Sequence, residues 1–304
     1  MTRVHGAIPL ATGEHRSAAG AARMQADAAG ARANSSRRFG GVARIHGDDA
    51  LGVLAGAHVC VVGIGGVGSW TVEALARSGV GHLTLIDLDH VAESNVNRQV
   101  HALDSTLGAA KVEVMRARIA DISPDCRVRA IDDFVTVGNV ERLVPERALV
   151  VDAIDAPREK AALVACMRQR RQPIVVCGGA GGRTDPLRLR RDDLSRTKGD
   201  ALLAAVRARL RREHGFPREA AKRFRIEAIY SDEPLRSAAR EPACEPDSRD
   251  GPGGGGAAPL GCAGYGSLVT VTAAMGLAAA SWVLERALAA AAGAARRTSH
   301  RRNL

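Results

Sequence analysis

Short apolar runs alternate with amphipathic stretches through the middle of the chain. The runs lie at Val59–Val62, Leu83–Ile86, Leu149–Val151 and Ile174–Val176. Each is short and continuous, as in a parallel strand that is buried on both faces. Between them lie stretches with helical spacing of apolar residues, at 66–78, 108–122 and 157–171. This alternation predicts an α/β fold, namely a Rossmann-like, doubly wound and mainly parallel sheet.

The pattern changes after residue 182. A charged helix over 200–213, a strand near 225–230 and a long helix from Ser267 to Ala291 predict a C-terminal α/β extension. Residues 1–36 have no sustained apolar periodicity, which predicts disorder or a loose helix, and the Gly/Pro-rich stretch 236–261 predicts a flexible loop. The predicted division is a disordered extension (1–36), a Rossmann-like domain (37–182), a basic extension with the flexible loop and the long helix (183–292) and a basic tail (293–304).

Two features bear on the compartment of the protein. The apolar run 268–284 is short for a membrane span, rich in alanine and interrupted by three hydroxyl side chains, so we predict a buried helix and no stable membrane insertion. The six cysteines form no C-x-x-C pair, and their scatter is typical of reduced thiols. We therefore predict a cytoplasmic protein without the usual structural zinc site.

Basic charge is concentrated outside the Rossmann-like domain. The formal net charge is +10, yet residues 183–225 alone hold fourteen Lys or Arg against six acids, and the last twelve residues hold four Arg and no acid. This distribution is expected of a protein with a polyanionic partner, and we predict that RNA is that partner. The arginines expected to steer it are Arg188, Arg190, Arg191, Arg207, Arg211 and Arg212.

A glycine-rich loop, Gly63-Ile64-Gly65-Gly66-Val67-Gly68, follows the first predicted strand and opens a helix. Glycines let the backbone turn tightly and approach phosphate oxygens, and the helix N-terminus offers free N–H groups. Asp87 ends the second strand, where a carboxylate accepts hydrogen bonds from ribose hydroxyls. The loop and Asp87 together predict an adenine nucleotide, without deciding between NAD and ATP.

Further polar residues favour a triphosphate. After Asp87 come Asp89, the string Asn95-Val96-Asn97-Arg98-Gln99 and Lys111. Arg98 and Lys111 would supply the cations that phosphate transfer needs, and Asp155, at the carboxyl end of a strand, would hold Mg²⁺. Each has an ordinary alternative, which is a solvated surface cation for Arg98 and Lys111 and a helix N-cap for Asp155. Their combination and order favour ATP.

These motifs resemble those of the ThiF/MoeB/HesA superfamily, the adenylating relatives of ubiquitin-activating enzymes. The similarity rests on the glycine loop, D-L-D, S-N-V-N-R-Q, G-A-A-K and D-A-I-D, and covers residues 38–182 and the C-terminal helix. Longer strings resemble its tRNA threonylcarbamoyladenosine dehydratase branch. They are R-F-G-G-V-A-R (38–44), V-V-G-I-G-G-V-G-S-W (61–70), N-R-Q-V-H-A-L (97–103), D-D-F-V-T (132–136) and G-G-A-G-G (178–182).

The resemblance implies a role for each residue of the site. The glycines of the loop would wrap the phosphates of ATP, Asp87 would bind the ribose and Asp155 would coordinate Mg²⁺. Asn95, Arg98 and Lys111 would contact the phosphates and support the departure of pyrophosphate. The full predicted site is Gly63, Gly65, Gly66, Gly68, Asp87, Asp89, Asn95, Arg98, Gln99, Lys111 and Asp155.

The implied substrate is a tRNA adenosine that carries a threonylcarbamoyl group. Its carboxylate would attack the α-phosphate of ATP to form an acyl-adenylate, and a nucleophile of the same side chain would then close a ring and expel AMP. The resemblance also implies a homodimer, with a cysteine desulfurase or a sulfur-acceptor protein as further partners. Some relatives carry an inter-subunit arginine at the position of Gly41, so Arg38 or Arg44 would have to replace it here.

Besides a non-catalytic nucleotide-binding or tRNA-binding module, the residues leave two other functions open. One is an adenylyltransferase for a ubiquitin-like sulfur-carrier protein, against which the basic segment and the absence of zinc-binding cysteine pairs argue. The other is an NAD-dependent oxidoreductase, in which Arg98, Lys111 and Asp155 would lack a purpose. We expect Cys177 and Cys262 to be incidental thiols, whereas His101 is either a pocket residue or a structural histidine.

Overall fold

The computed structural model describes residues 36–219, 221–235 and 265–302, with the side chains of the last helix described up to residue 293. Residues 1–35 and the predicted loop 236–261 lie outside these ranges. The elements are α1 (36–46), α2 (Ala50–Gly56), β1 (His58–Val62), α3 (Gly68–Arg77), β2 (His82–Ile86), α4 (Lys111–Ile122), β3 (Arg127–Ile131), α5 (Val140–Leu143), β4 (Leu149–Asp152), α6 (Pro157–Gln169), β5 (Ile174–Cys177), β6 (Leu189–Asp193), α7 (Ala201–Glu213), β7 (Glu227–Ser231) and α8 (Val269–Arg302).

The strands of the described chain form one sheet in the order β3-β2-β1-β4-β5-β7-β6. All neighbouring pairs are parallel except β6 and β7, which confirms the predicted fold class. The chain runs outward from β1 to β3 and then returns to place β4 on the other side of β1. This reversal leaves a crevice between the carboxyl ends of β1 and β4, where ligands of such sheets bind.

Two strands were not predicted, and both lie at an edge of the sheet. β3 reads R-V-R-A-I and β6 reads L-R-R-D-D, so neither shows the continuous apolar run of a central strand. In β6, Arg191 lies opposite Ile229 of β7 and its guanidinium donates to Glu227 at 2.6 Å. Charged side chains suit an edge because they reach solvent and discourage pairing with another chain.

Helices cover both faces of the sheet with separate aliphatic cores. α5, α6 and α7 pack on one face, and α3, α4 and α8 pack on the other. α8 lies close against α3, because a Cβ at Gly276 would stand 2.5 Å from the carbonyl oxygen of Val67. Thr71 donates its hydroxyl to the carbonyl of Gly276 at 3.1 Å, which fixes the register of the two helices.

The predicted C-terminal helix is present and extends to Arg302, beyond its predicted end at Ala291. Its segment Val269–Gly293 is long and apolar enough to cross a membrane by length and composition alone. Five of its side chains lie in the core that faces α3 and the sheet: Met275, Ala279, Ala280, Trp282 and Val283. The prediction of a buried helix therefore holds for one face only, because Val269 and Leu277 of the same helix are exposed.

Candidate active site

A cavity of about 660 Å³ opens at the carboxyl edge of the sheet. It extends across the loops that follow β1, β2, β3, β4 and β5, so one space collects residues that are far apart in the sequence. The predicted site residues that line it are Gly63, Gly65, Gly66, Asp87, Asp89, Asn95, Arg98, Gln99, Lys111 and Asp155. Gly68 is the one member of the predicted set that does not.

The glycine loop is built by close backbone contacts. Gly63 has φ of 87°, and a Cβ there would stand 2.8 Å from the carbonyl oxygen of Ala153, so the loop packs against the end of β4. A Cβ at Gly68 would overlap the carbonyl oxygen of Gly63. Gly68 therefore packs against the backbone of the turn, whereas Gly65 lines the cavity, where a Cβ would meet only the side-chain nitrogen of Gln99 at 3.9 Å.

Asp87 holds the glycine loop by a hydrogen bond. Its carboxylate is buried and accepts the backbone N–H of Ile64 at 2.5 Å and that of Asp89 at 2.8 Å. Burial raises the pKa of Asp87, although the charge of Lys111 and these two hydrogen bonds act in the opposite direction. Each oxygen accepts one of these hydrogen bonds and so retains capacity to accept another, which is what a carboxylate needs in order to accept ribose hydroxyls.

The predicted cations both reach the cavity. Lys111 is only 5% exposed, and its ammonium lies 2.7 Å from a carboxylate oxygen of Asp89. Asp89 therefore orients Lys111 and need not contact the ribose. The guanidinium of Arg98 donates to the carbonyl of Ser94 at 2.5 Å and to the side chain of Asn97 at 3.0 Å. Both cations are thus bound by neighbouring protein groups while they line the cavity.

Asp155 lies on the loop between β4 and α6. The N-cap of α6 is Ala156, and no side chain caps the helix, so the alternative role of Asp155 as a helix N-cap does not hold. Asp155 is exposed and lines the cavity, and within the described chain its carboxylate has no hydrogen-bonding or ionic partner. Magnesium that arrives with a nucleotide is held by phosphates and one or two carboxylates. A single unengaged carboxylate at this position fits such an ion.

Comparison with known proteins identifies the family of this chain. The family model described as the ThiF family matches residues 36–301. The chain belongs to the ThiF family. It is 44% identical over 265 residues to the tRNA threonylcarbamoyladenosine dehydratase of Escherichia coli, a match that covers 84% of this chain and 95% of the relative. The enzyme of the same name from Haemophilus influenzae is 42% identical over 257 residues, with 84% and 95% covered.

A solved structure gives the same result in three dimensions. The Escherichia coli dehydratase in complex with ATP superposes with a TM-score of 0.72 at 42% identity, over 84% of this chain and 96% of that one. The predicted resemblance is therefore confirmed.

Beneath the cavity of this ThiF-family chain lies an ion pair that sequence reasoning missed. Asp152 and Lys160 are both fully buried, with 2.9 Å between the carboxylate and the ammonium. Lys160 also donates to the carbonyl of Ile154 at 2.8 Å, and thus holds the loop that carries Asp155. Burial raises the pKa of Asp152, although the charge of Lys160 opposes this. A lysine in the first turn of a helix ordinarily faces solvent, so only its proximity to a strand-end aspartate pointed to this pair.

The side of the cavity beyond β5 contains further residues that were not predicted individually. Asp200 is buried and accepts the N–H of Gly179 at 2.9 Å and that of Leu203 at 2.8 Å. Arg183 is 2% exposed and donates to the carbonyls of Gly179, Gly199 and Glu233. The G-G-A-G-G string (178–182) was part of the predicted resemblance and lies on this side of the cavity. Arg183, which joins its loops by hydrogen bonds, entered the sequence analysis only through the basic charge of residues 183–225.

His101 and the cysteines lie outside the cavity lining. His101 is 1% exposed, and neither ring nitrogen has a hydrogen-bond partner among the described residues. Burial, and then the charges of Lys111 and Arg118, lower its pKa to about 4. This favours the structural alternative for His101. Burial raises the pKa of the Cys177 thiol to about 12, as expected of an incidental thiol, and Cys262 lies outside the described residues.

The two arginines considered as inter-subunit residues differ in their contacts. Arg38 donates to the carbonyls of Asp121 and Ile122, at 3.2 and 2.7 Å, and thereby caps the C-terminus of α4. Arg44, near the end of α1, is exposed and contacts no acid or carbonyl in the part of the chain that is described. Only Arg44 keeps its guanidinium available to a second subunit.

The arginines expected to steer RNA are largely engaged within the molecule. Arg188 and Arg190 bind Asp232, at 2.8 and 2.9 Å, and Arg191 binds Glu227 and Glu285, at 2.6 and 2.7 Å. Arg211 lies over the ring of Phe224 at 5.2 Å. Arg207 donates to Thr197, and Arg212 to Glu213. Two neighbouring cations, Arg196 and Lys198, are exposed and have no such side-chain partner among the described residues.

Proposed function

We propose that this protein catalyses the ATP-dependent dehydration of threonylcarbamoyladenosine in tRNA through an acyl-adenylate. The observation that carries the proposal is the single cavity in which the glycine loop, a buried carboxylate and two anchored cations meet. The relatives that match nearly the whole chain bear the name of this activity. The structure of the Escherichia coli relative was solved in complex with ATP, and it superposes on 84% of this chain.

The nucleotide would lie across the carboxyl ends of β2, β1 and β4. Asp87 binds the ribose, and the backbone of Gly65 and Gly66 approaches the phosphates at the N-terminus of α3, where free N–H groups and the helix dipole favour anions. Lys111 and Arg98 neutralise charge on the phosphates and on the departing pyrophosphate. Because both are already held by protein groups, little reorganisation is needed when charge develops.

The reaction would proceed in two displacements at one site. In the first, a carboxylate oxygen of the threonylcarbamoyl group bonds to the α-phosphorus of ATP, and the bond to pyrophosphate breaks. In the second, a nucleophile of the same side chain bonds to the activated carbonyl carbon, loses its proton and displaces AMP. AMP keeps one oxygen of the original carboxylate, so the nucleoside has lost the elements of water.

Asp155 is the residue that would hold Mg²⁺, with the nucleotide phosphates supplying the other ligands. When bound there, the ion would neutralise the phosphates and orient the α-phosphorus for attack. No cluster of three or more His, Cys, Asp or Glu side chains in residues 36–219, 221–235 and 265–293 could hold a metal by itself. An ion bound mainly by substrate agrees with that geometry.

We further propose that the protein is a homodimer. α8 exposes Val269 and Leu277 (40 and 50%), and Leu268 just before it is 46% exposed, which is apolar surface suited to a partner. The exposed Arg44 is the candidate to reach the partner's site. Light scattering at micromolar concentration should give the mass of two chains, and a monomer would refute the dimer. A sulfur-relay partner and a cytoplasmic location rest on the sequence alone.

The sulfur-carrier adenylyltransferase and the oxidoreductase remain the alternatives. The first would share the ATP site but would bind a protein C-terminus, and the second would use NAD. Incubation with ATP, Mg²⁺ and bulk tRNA, followed by mass analysis of the nucleosides, separates them. Loss of water from threonylcarbamoyladenosine, with one AMP per conversion, is the expected result. If the protein binds ATP under these conditions but the nucleosides stay unchanged, the proposal is refuted.

A further inference from the structure

Aromatic residues are rare in this chain and are unevenly exposed. It contains four Phe, two Tyr and two Trp. Five of them are buried: Phe39, Phe216, Phe224, Tyr230 and Trp282. Trp70 is half-buried and donates its indole N–H to the carbonyl of Arg98 at 3.1 Å. The remaining two, Phe134 at 52% and Tyr265 at 42% exposure, both line the cavity.

The two exposed rings lie at opposite ends of that cavity. Phe134 follows β3, and Tyr265 packs on Gly182, which follows β5. The sheet order β3-β2-β1-β4-β5 places four strand intervals between these ends, or roughly 19 Å. Asp87 follows β2, the strand that neighbours β3, and the glycine loop follows β1. The adenosine of ATP therefore belongs to the Phe134 end, and the Tyr265 end is left for the second substrate.

Tyr265 is held in place before any ligand binds. The N–H of Gly182 donates to the carbonyl of Gly266 at 2.9 Å, which pairs the two segments. A Cβ at Gly182 would lie 3.4 Å from the ring atom Cδ1 of Tyr265 and 3.2 Å from Cδ2 of Leu235. The ring thus packs along bare glycine backbone on one side while much of the residue stays exposed. A fixed and exposed ring loses little entropy when it stacks on a flat partner.

We propose that Tyr265 stacks on a nucleobase of the RNA substrate, while ATP occupies the opposite end of the cavity. This inference rests on the proposed function. An adenosine side chain reaches the α-phosphate of ATP only if its base leaves the RNA stack, and unstacked bases are bound on aromatic rings. A sulfur-carrier protein, the substrate of the alternative adenylyltransferase, has no such base. Stacking on Tyr265 is therefore expected for the tRNA substrate and not for the sulfur carrier.

The test compares Tyr265→Ala and Tyr265→Phe with Phe134→Ala as the matched control. Tyr265→Ala should raise the KM for tRNA by roughly 10-fold or more, the effect of one lost stacked base, and leave the KM for ATP unchanged. Tyr265→Phe should restore the wild-type KM, because the ring is retained. Phe134→Ala should change the KM for ATP instead. A wild-type KM for tRNA in Tyr265→Ala, or a Phe variant as impaired as the Ala variant, would overturn the inference.

A readout independent of turnover separates this inference from the proposed function. A stem-loop RNA with 2-aminopurine in place of the substrate adenine should lose fluorescence on binding if Tyr265 stacks on that base. Tyr265→Ala should abolish the quenching. Equal quenching in the wild type and the variant would overturn the inference. A wild-type protein that shows the quenching but removes no water would instead overturn the proposed function.

Discussion

Two positively charged regions of the molecule use their charge differently. At the carboxyl edge of the sheet, Lys111 and Arg98 are anchored by a few contacts and still line the cavity. In the basic extension, Arg188, Arg190 and Arg191 are paired with acids of β7 and its neighbours. Most exposed pairs of this kind contribute little to stability, yet each occupies hydrogen-bond donors of its arginine. The position of a basic residue relative to the strand ends therefore indicates ligand binding better than the net charge of its segment does.

The largest expected effect concerns the ion pair beneath the cavity. Lys160→Met should lower the free energy of unfolding by about 3–5 kcal/mol, because it leaves the fully buried Asp152 without its partner. Urea denaturation measures this loss. Arg190→Met is the matched control, because it breaks an exposed pair of the extension, and its effect should stay below about 1 kcal/mol. Similar losses in both variants would mean that the two regions do not differ in this respect.

The second prediction concerns Asp155. Asp155→Asn keeps the shape of the side chain but removes its charge, and we expect the rate of pyrophosphate release to fall by roughly 100-fold or more. The circular dichroism spectrum and the urea midpoint should not change. Asp125→Asn, an exposed acid before β3, is the control and should retain the wild-type rate. Near-normal turnover by Asp155→Asn would refute its assignment to Mg²⁺.

The elements that the sequence predicted share one property. β1, β2, β4 and β5 are central strands whose side chains are buried on both faces, so their apolar runs are visible without tertiary information. β3 and β6 lie at the edges and are charged. Such sequences form strands because they pair with a neighbouring strand, and the hydrophobic pattern therefore did not predict them.

The same distinction applies to the candidate site. The glycine loop, Asp87, Arg98, Lys111 and Asp155 follow predictable strands, and parallel strands bring their carboxyl ends together. Arg183 and Tyr265 reach the cavity through loops whose course depends on packing. Gly182 adopts φ of 69° and leaves room for the ring of Tyr265, a relation between residues 83 positions apart that no local pattern contains.

The third prediction is a dependence of stability on pH. Burial lowers the pKa of His101 to about 4 from its ordinary 6.5, so the unfolded chain binds a proton in the interval where the folded chain does not. Stability from this group is therefore complete above about pH 6.5 and is lost as the pH falls towards 4, by about 2 kcal/mol at pH 5. Urea titrations at pH 7 and 5 should show this loss, which His101→Gln should reduce. His46→Gln, at an exposed position, is the control, and an unchanged loss in His101→Gln would contradict the prediction.

The smallest expected effect tests which cations of the extension contact RNA. Reversal of Arg207, Arg211 and Arg212 to Glu would weaken tRNA binding if these residues steer it. Yet Arg207 donates to Thr197 and Arg211 lies over Phe224, so such a variant would also disturb packing. Arg196 and Lys198 are better targets, because they are exposed, have no side-chain partner in the described chain, and precede cavity residues Asp200 to Leu202.

Replacement of Arg196 and Lys198 by Ala should lower the affinity for tRNA modestly and leave ATP binding intact. Each cation that contacts a phosphate contributes roughly 0.7–0.9 to the log–log slope of affinity against salt, so the double variant should lose about 1.5 from that slope between about 50 and 200 mM salt. Replacement of Arg188 and Arg190 by Ala, whose partner is Asp232, should change the slope much less. Equal slopes for all three proteins would show that this face of the extension does not bind RNA. A larger change in the Arg188 and Arg190 variant would show that RNA displaces Asp232, and that an ion pair within the protein does not exclude a cation from the interface.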